Sequence, residues 1–260
     1  MAETTLTPAQ TPRRFRLDWI PGILFMPRRT MEKIAAQNQG VWILPILLLS
    51  LTALAVSLIA GNIRREIAIT VGPELPPNFE YLSPADQAQY LQAAQAAQRP
   101  EFAYVFPGLV AISSVWFGWL LVGGLLHLLL TLLGGRGSTG TTMNLVAWCA
   151  IPFALRDIVR AVDMLITNKL IEAQGVSGFF LAGESPLSIF INKFLTRIDI
   201  YLIWHILLLV LGVRIATHLS LIKSWVGVLI TILVVIGLLG LIGLSSSLLG
   251  GMTITRPYFF

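Results

Sequence analysis

VWILPILLLSLTALAVSLIA, residues 41–60, carries no charged side chain along its whole length. A helix of this length reaches about 30 Å at 1.5 Å per residue, the thickness of a bilayer's hydrocarbon core, so the stretch reads as a membrane span. Pro45 falls in its first turn, where a missing N–H costs no helical hydrogen bond. Composition supports the reading, with 55% of the 260 residues hydrophobic and only 12% charged. The mean hydropathy of +0.78 is far from that of an ordinary soluble domain. The expected fold class is all-α, a polytopic membrane helix bundle with lipid as the main solvent.

Before this span, residues 1–40 form a basic segment. Arg13, Arg14, Arg16, Arg28, Arg29 and Lys33 face only Glu3, Asp18 and Glu32, which suits a cytoplasmic surface over anionic lipid. Its apolar piece, LDWIPGILFM at 17–26, is short, is interrupted by Pro21 and Gly22, and lacks a small-residue cleavage site. The segment is therefore expected to stay on the protein rather than be removed as a signal. Nucleic acid is excluded as a partner, because neither a folded basic domain nor a zinc-ligand spacing accompanies the charge.

After the span, residues 61–103 turn polar and are punctuated by Pro73, Pro76, Pro77, Pro84 and Pro100. They read as an external loop. Within it SPADQAQYLQAAQAAQ, 83–98, is a surface helix with Ser83 as N-cap and Pro84 at the first helical position. Further spans are expected at about 104–133, 143–167, 198–215 and 225–249, which makes about five transmembrane helices in a membrane domain of 41–249. A tail of 250–260 follows. Trp116 and Trp119 lie inside their span rather than at its ends, which points them at protein. Pro152 should kink segment 143–167, and the partly amphipathic PLSIFINKFLTRID precedes the fourth span. Arg136, Arg214 and Lys223 fall on the same side as the basic N-terminus, whereas loop 61–103 holds more acids than bases. The N-terminus is then cytoplasmic and the C-terminus external.

Chemistry concentrates in the third segment. Arg156, Arg160 and Asp163 fall within about 60° of one another on a helix, with Asp157 beside them, and Asp163 is three residues from Arg160. A helix ending before Arg156 has too few residues to cross, so the charges enter the bilayer or the segment re-enters. Ionisable groups near mid-bilayer cost about 2.5 to 3.5 kcal/mol each and normally face partners or water. Asp199, at the start of the fourth span, is a candidate partner. A structural ion-pair network, a polar pathway for an ion or substrate, and an interfacial amphipathic helix all fit this candidate intramembrane group.

Other features read more plainly. GRGSTG, Gly135 to Gly140, matches a dinucleotide glycine pattern, but a spanning helix stands where a strand is needed, and Thr141 replaces a phosphate-loop lysine. It reads as a flexible turn. His127 and His205 lie in different spans with no acidic ligand near, so they read as hydrogen-bonded histidines and no metal or other cofactor is proposed. The single cysteine, Cys149, can form neither an intramolecular disulfide nor a thiolate cluster. Gly237, Gly240, Gly243 and Ser247 mark a candidate helix-packing face in the fifth span. HExxH and GxSxG are absent, and nothing places a nucleophile beside a base, so no enzyme is expected.

PGILFMPRRTMEKIA, GGRGSTGTTMNLVAWCAIP and TRIDIYLIWHILLLVLGV followed by LIKSW resemble the Yip family of Rab-interacting membrane proteins in its bacterial-type form. The resemblance covers about residues 20–245. Its strongest pieces are Asp199, Tyr201 and Trp204 opening the fourth helix, Gly212 after them, and the run from Ala147 to Pro152. It implies a five-helix bundle with a cytoplasmic N-terminus and no enzymatic activity. Eukaryotic relatives carry a longer cytoplasmic region that is missing here, while bacterial relatives include accessory components of ABC exporters. The expected function is thus a non-catalytic scaffold or accessory subunit in the cell membrane, bacterial cytoplasmic in type. Its expected partners are the lipid bilayer and a membrane protein, an ABC exporter subunit or a second copy of the chain. The alternative is a small channel or transporter that uses the charged group as its pathway.

Overall fold

The computed structural model describes residues 15–70, 75, 78–97, 99–171, 174–180 and 185–252, with the backbone alone at 96–97 and 246–252. The described residues are helical, with no strand. Four helices are long and apolar enough to cross a membrane: α3 (Ile43–Thr70), α5 (Phe106–Leu132, led in by a π-helical turn at Glu101–Val105), α9 (Ile200–Thr217) and α10 (Leu221–Met252). The surface helix of the polar loop is α4 (Pro84–Ala97). Its Ser83 cap is present, the hydroxyl accepting the Asp86 N–H at 3.2 Å and donating to the Asp86 carboxylate at 2.7 Å. The tail beyond residue 252 lies outside the described residues.

The expected third span is two helices, α6 (Thr139–Cys149) and α7 (Ile151–Thr167). Ala150 separates them, and Pro152 sits in the first turn of α7 rather than inside a kinked helix. The reason is local. Pro152 offers no N–H to the Trp148 carbonyl, and the Phe153 N–H turns to Ala150 O at 2.9 Å instead of Cys149 O. His205 of α9 meets that freed Cys149 carbonyl with its Nδ1 at 2.8 Å, which fixes the proton on Nδ1. The ring is buried, as is the carbonyl it serves.

Contacts at the helix ends fix the topology. At one end α5 stops in a Schellman motif, with Gly134 at φ +89° and the Gly135 N–H bonding Leu130 O at 2.8 Å. Lys223, opening α10, donates to Leu133 O at 2.9 Å, and a Cβ on Gly135 would lie 3.4 Å from Thr217 at the end of α9. At the opposite end Asn168, the left-handed residue that closes α7, donates to Glu66 of α3 at 3.2 Å. Together α6 and α7 thus run from one end of the bundle to the other in two pieces, beside the four helices long and apolar enough to cross.

The largest difference from expectation is at the N-terminus. Residues 19–35 are a helical hairpin, α1 (Trp19–Phe25) and α2 (Pro27–Ala35), with Trp19, Ile23, Met31 and Ile34 in the core. Gly22 permits the hairpin, since a Cβ there would stand 2.5 Å from the Thr30 hydroxyl. Arg28, Arg29, Glu32 and Lys33 stay exposed, so the basic character is one face of α2. Ahead of α1, Arg16 pairs with Asp18 at 3.0 Å, and this bond lowers the Asp18 carboxyl's pKa below its ordinary value. The hairpin packs on α6 and α9, where α6 is buried from Asn144 to Cys149.

Candidate functional site

α7 is amphipathic at helical period. Ile158, Val162, Leu165 and Ile166 are exposed, while Ala154, Asp157 and Met164 are buried against neighbouring helices. Arg156 and Arg160, four residues apart on one side, face the start of α9. There Asp199 caps the helix, its Oδ1 accepting the Leu202 N–H at 2.8 Å. Its other oxygen lies 3.5 Å from Arg156 Nη1 and 3.8 Å from Arg160 Nη2. Arg156 Nε donates to Asp157 at 3.3 Å, and its guanidinium lies 4.8 Å from the centre of the Phe153 ring. Phe153 in turn lies 4.8 Å from His205. Arg156, Asp157, Arg160 and Asp199 therefore meet, as α7 and α9 bring them together.

Asp163 does not join them. It is exposed and forms no salt bridge among the described residues. Spacing puts Arg156, Arg160 and Asp163 on one side of the helix, but α9 begins at Ile200, and Asp163 lies nearly a turn further along α7, past that beginning. Arg197, which the sequence reading passed over, sits in the link between α8 (Pro186–Leu195) and α9. Loss of water around its guanidinium, and then the charge of Arg156, lower its pKa below the ordinary arginine value.

Beside these charges is a cleft of about 350 Å³, lined by Arg156, Val159, Arg160, Gln174 and Tyr201 among others. Gly175 makes its wall possible. It sits at φ +60°, and a Cβ would lie 2.5 Å from Ile198 O and 2.8 Å from Leu195 O, so the 174–180 segment can seat on the α8–α9 link only with glycine there. Val176 N–H then bonds Ile198 O at 2.9 Å. α9 has 18 residues, about 27 Å, so the cleft and the opposite end of α9 are separated by nearly a hydrocarbon thickness. The charges lie at one end of the bundle rather than at its middle.

A second polar cluster joins α6 to the chain before α3, with no chemical pattern among its residues to announce it. Buried Asn144 accepts the Val41 N–H at 2.9 Å and donates to Gln39 O at 2.9 Å. Trp148 Nε1 donates to Val41 O at 3.0 Å. Trp116 and Trp119 stack about Trp42, at 5.9 and 4.5 Å between ring centres, so they do face protein.

The remaining candidates have structural partners. His127 meets the Thr139 hydroxyl at 3.0 Å, and Ser138 of the glycine-rich turn caps α6 through the Thr141 N–H at 3.1 Å. In the glycine face, a Cβ on Gly240 would lie 2.9 Å from the Phe190 ring and one on Gly243 would lie 3.2 Å from Lys193, both on α8. Gly237 instead faces open space, and the side chain of Ser247 lies outside the described residues. Cys149 is a buried free thiol. No group of three His, Cys, Asp or Glu residues able to hold a metal occurs among the described residues.

The apolar crossings around a packed helical core define a multi-pass membrane protein. The family model described as the Yip1 domain matches residues 22–244, and the chain belongs to that family. No curated protein and no solved structure matches it. The match begins within α1, so it takes in nearly all of the buried hairpin. The family is in general a non-catalytic one of membrane proteins.

Proposed function

We propose that this chain is a non-catalytic scaffold, an accessory subunit that docks on a larger complex in the bacterial cytoplasmic membrane with its N-terminus in the cytoplasm. An ABC-type exporter is the partner to test first. The observation that carries the reading is how the charges of the third crossing are used: Asp199 caps α9, Arg156 is held by Asp157 and Asp199, and Arg160 leans on Asp199. A conduction pathway needs ionisable groups facing water along the membrane depth. Here they are gathered at one end, and Asp199 among them is tied to the backbone of α9.

The test is purification from native membranes in mild detergent, with identification of co-purifying subunits and a flux assay of the isolated chain in liposomes. A stoichiometric membrane partner and no charge-dependent flux are expected. A monodisperse chain without partners, conducting ions in a manner abolished by folded Arg156→Gln and Asp199→Asn variants, would replace the scaffold with a pathway.

A further inference from the structure

The cleft between α7 and α9 has a charge excess that its own pairs leave unmatched. Among the described residues, Arg156 and Arg160 line the cleft with Asp199, Asp157 holds Arg156 from beside it, and Arg197 in the link before α9 adds its charge nearby, so three positive charges stand against two negative ones. The pairing is also loose. At 3.5 and 3.8 Å the contacts of Arg156 and Arg160 with Asp199 are too long for strong hydrogen bonds, and Arg160 makes no hydrogen bond to any described residue. Most guanidinium N–H groups at this cleft are therefore available, in the fork geometry that suits a phosphate.

The walls indicate where that phosphate comes from. Val159 and Ile200 line the cleft and are also exposed, at 50% and 72%, so on the side of α7 and α9 its mouth opens onto apolar surface, with Gln174 exposed on the opposite wall. From Ile200 an exposed row continues through Ile203 and Leu207 along α9, toward the interior of the bundle's membrane depth. Seven residues of helix give about 10 Å of apolar track. The cleft itself is at the end of α9, where headgroups lie if α9 spans the hydrocarbon.

We propose that this cleft binds the phosphodiester headgroup of an anionic membrane lipid, with the phosphate on Arg156 and Arg160 and an acyl chain along Ile200, Ile203 and Leu207. One negative charge matches the single excess positive charge among the described residues. A zwitterionic headgroup would restore the excess through its own cation, and a free phosphate would leave the apolar track empty. Basic pockets between membrane helices commonly take lipid headgroups for this reason.

The test uses the isolated chain, delipidated in detergent, so its outcome is independent of whether a protein partner exists. Phosphatidylglycerol, phosphatidylcholine and inorganic phosphate are titrated separately and in competition, and bound species are counted by native mass spectrometry. One retained phosphatidylglycerol per chain is expected, with phosphatidylcholine held at least about tenfold more weakly and phosphate unable to displace the lipid. Arg160→Gln should weaken retention about tenfold, the scale of one charge-assisted hydrogen bond. Val159→Trp, which fills the mouth without altering a charge, should weaken it similarly and serves if Arg160→Gln fails to fold. Arg214→Gln, at the far end of α9, should leave it unchanged. Equal retention of the two lipids, displacement by inorganic phosphate, or retention unaffected by Val159→Trp would each overturn the proposal.

Discussion

Trp148 and Trp19 touch edge to face, 5.4 Å between ring centres, yet they do different work. The Trp148 indole N–H closes on Val41 O, whereas the Trp19 indole nitrogen is buried with no hydrogen-bond partner among the described residues. Replacing either with phenylalanine removes similar volume, but only Trp148→Phe strands a buried carbonyl. An unsatisfied buried group costs about 1 to 3 kcal/mol, so Trp148→Phe should be the more destabilising by that margin. Thermal unfolding in detergent decides it, and equal losses would mean that packing alone holds this corner. Neither role was readable in the sequence. A tryptophan in an apolar run announces burial, while its hydrogen-bond partner lies 107 positions away and no local pattern names it.

The break between α6 and α7 is an element-scale device. A proline announced it, but Pro152 predicts only that two carbonyls of the preceding turn lose their helical donors. What makes the break stable is His205, which donates to Cys149 O from another helix. His205→Ala should therefore cost about 1 to 3 kcal/mol by leaving that carbonyl unpaired. In a Pro152→Ala background the same change should cost less, because a regular turn lets the Phe153 N–H return to Cys149 O. A double-mutant cycle on unfolding midpoints measures that coupling, and strictly additive losses would sink the explanation. The long apolar helices, the Ser83 cap and the Arg156–Asp199 meeting were legible, since each rests on local periodicity or on a charge that needs a partner. The two-piece segment from Thr139 to Thr167 was half legible, a kink being expected where a full break occurs. The separation of Asp163 from the group was not legible, because helical phase says which side a residue faces, not how far along its neighbour begins.

At the scale of the whole molecule, the N-terminal hairpin turns a basic leader into part of the core. Its seven- and nine-residue helices are too short to register as spans, and charge dominates their composition, so sequence reasoning left them at the surface. In the fold they close the bundle over the only cysteine. Gly212 of α9 lies where the hairpin and α6 meet it: a Cβ there would lie 3.3 Å from Met31 Sδ on α2, 3.1 Å from Leu145 and 3.8 Å from Cys149 Sγ on α6. The thiol is fully buried, so it reports on the hairpin directly. N-ethylmaleimide should leave the intact folded chain unmodified, since reaction requires an accessible thiolate. Deleting residues 1–36 should open the wall that Met31 shares with Gly212 and allow labelling. Gly212→Leu, which pushes α2 away without shortening the chain, should do the same. If the deleted protein remains folded and its thiol stays inert, the hairpin is an ornament on a bundle that closes without it, and α6 alone shields Cys149.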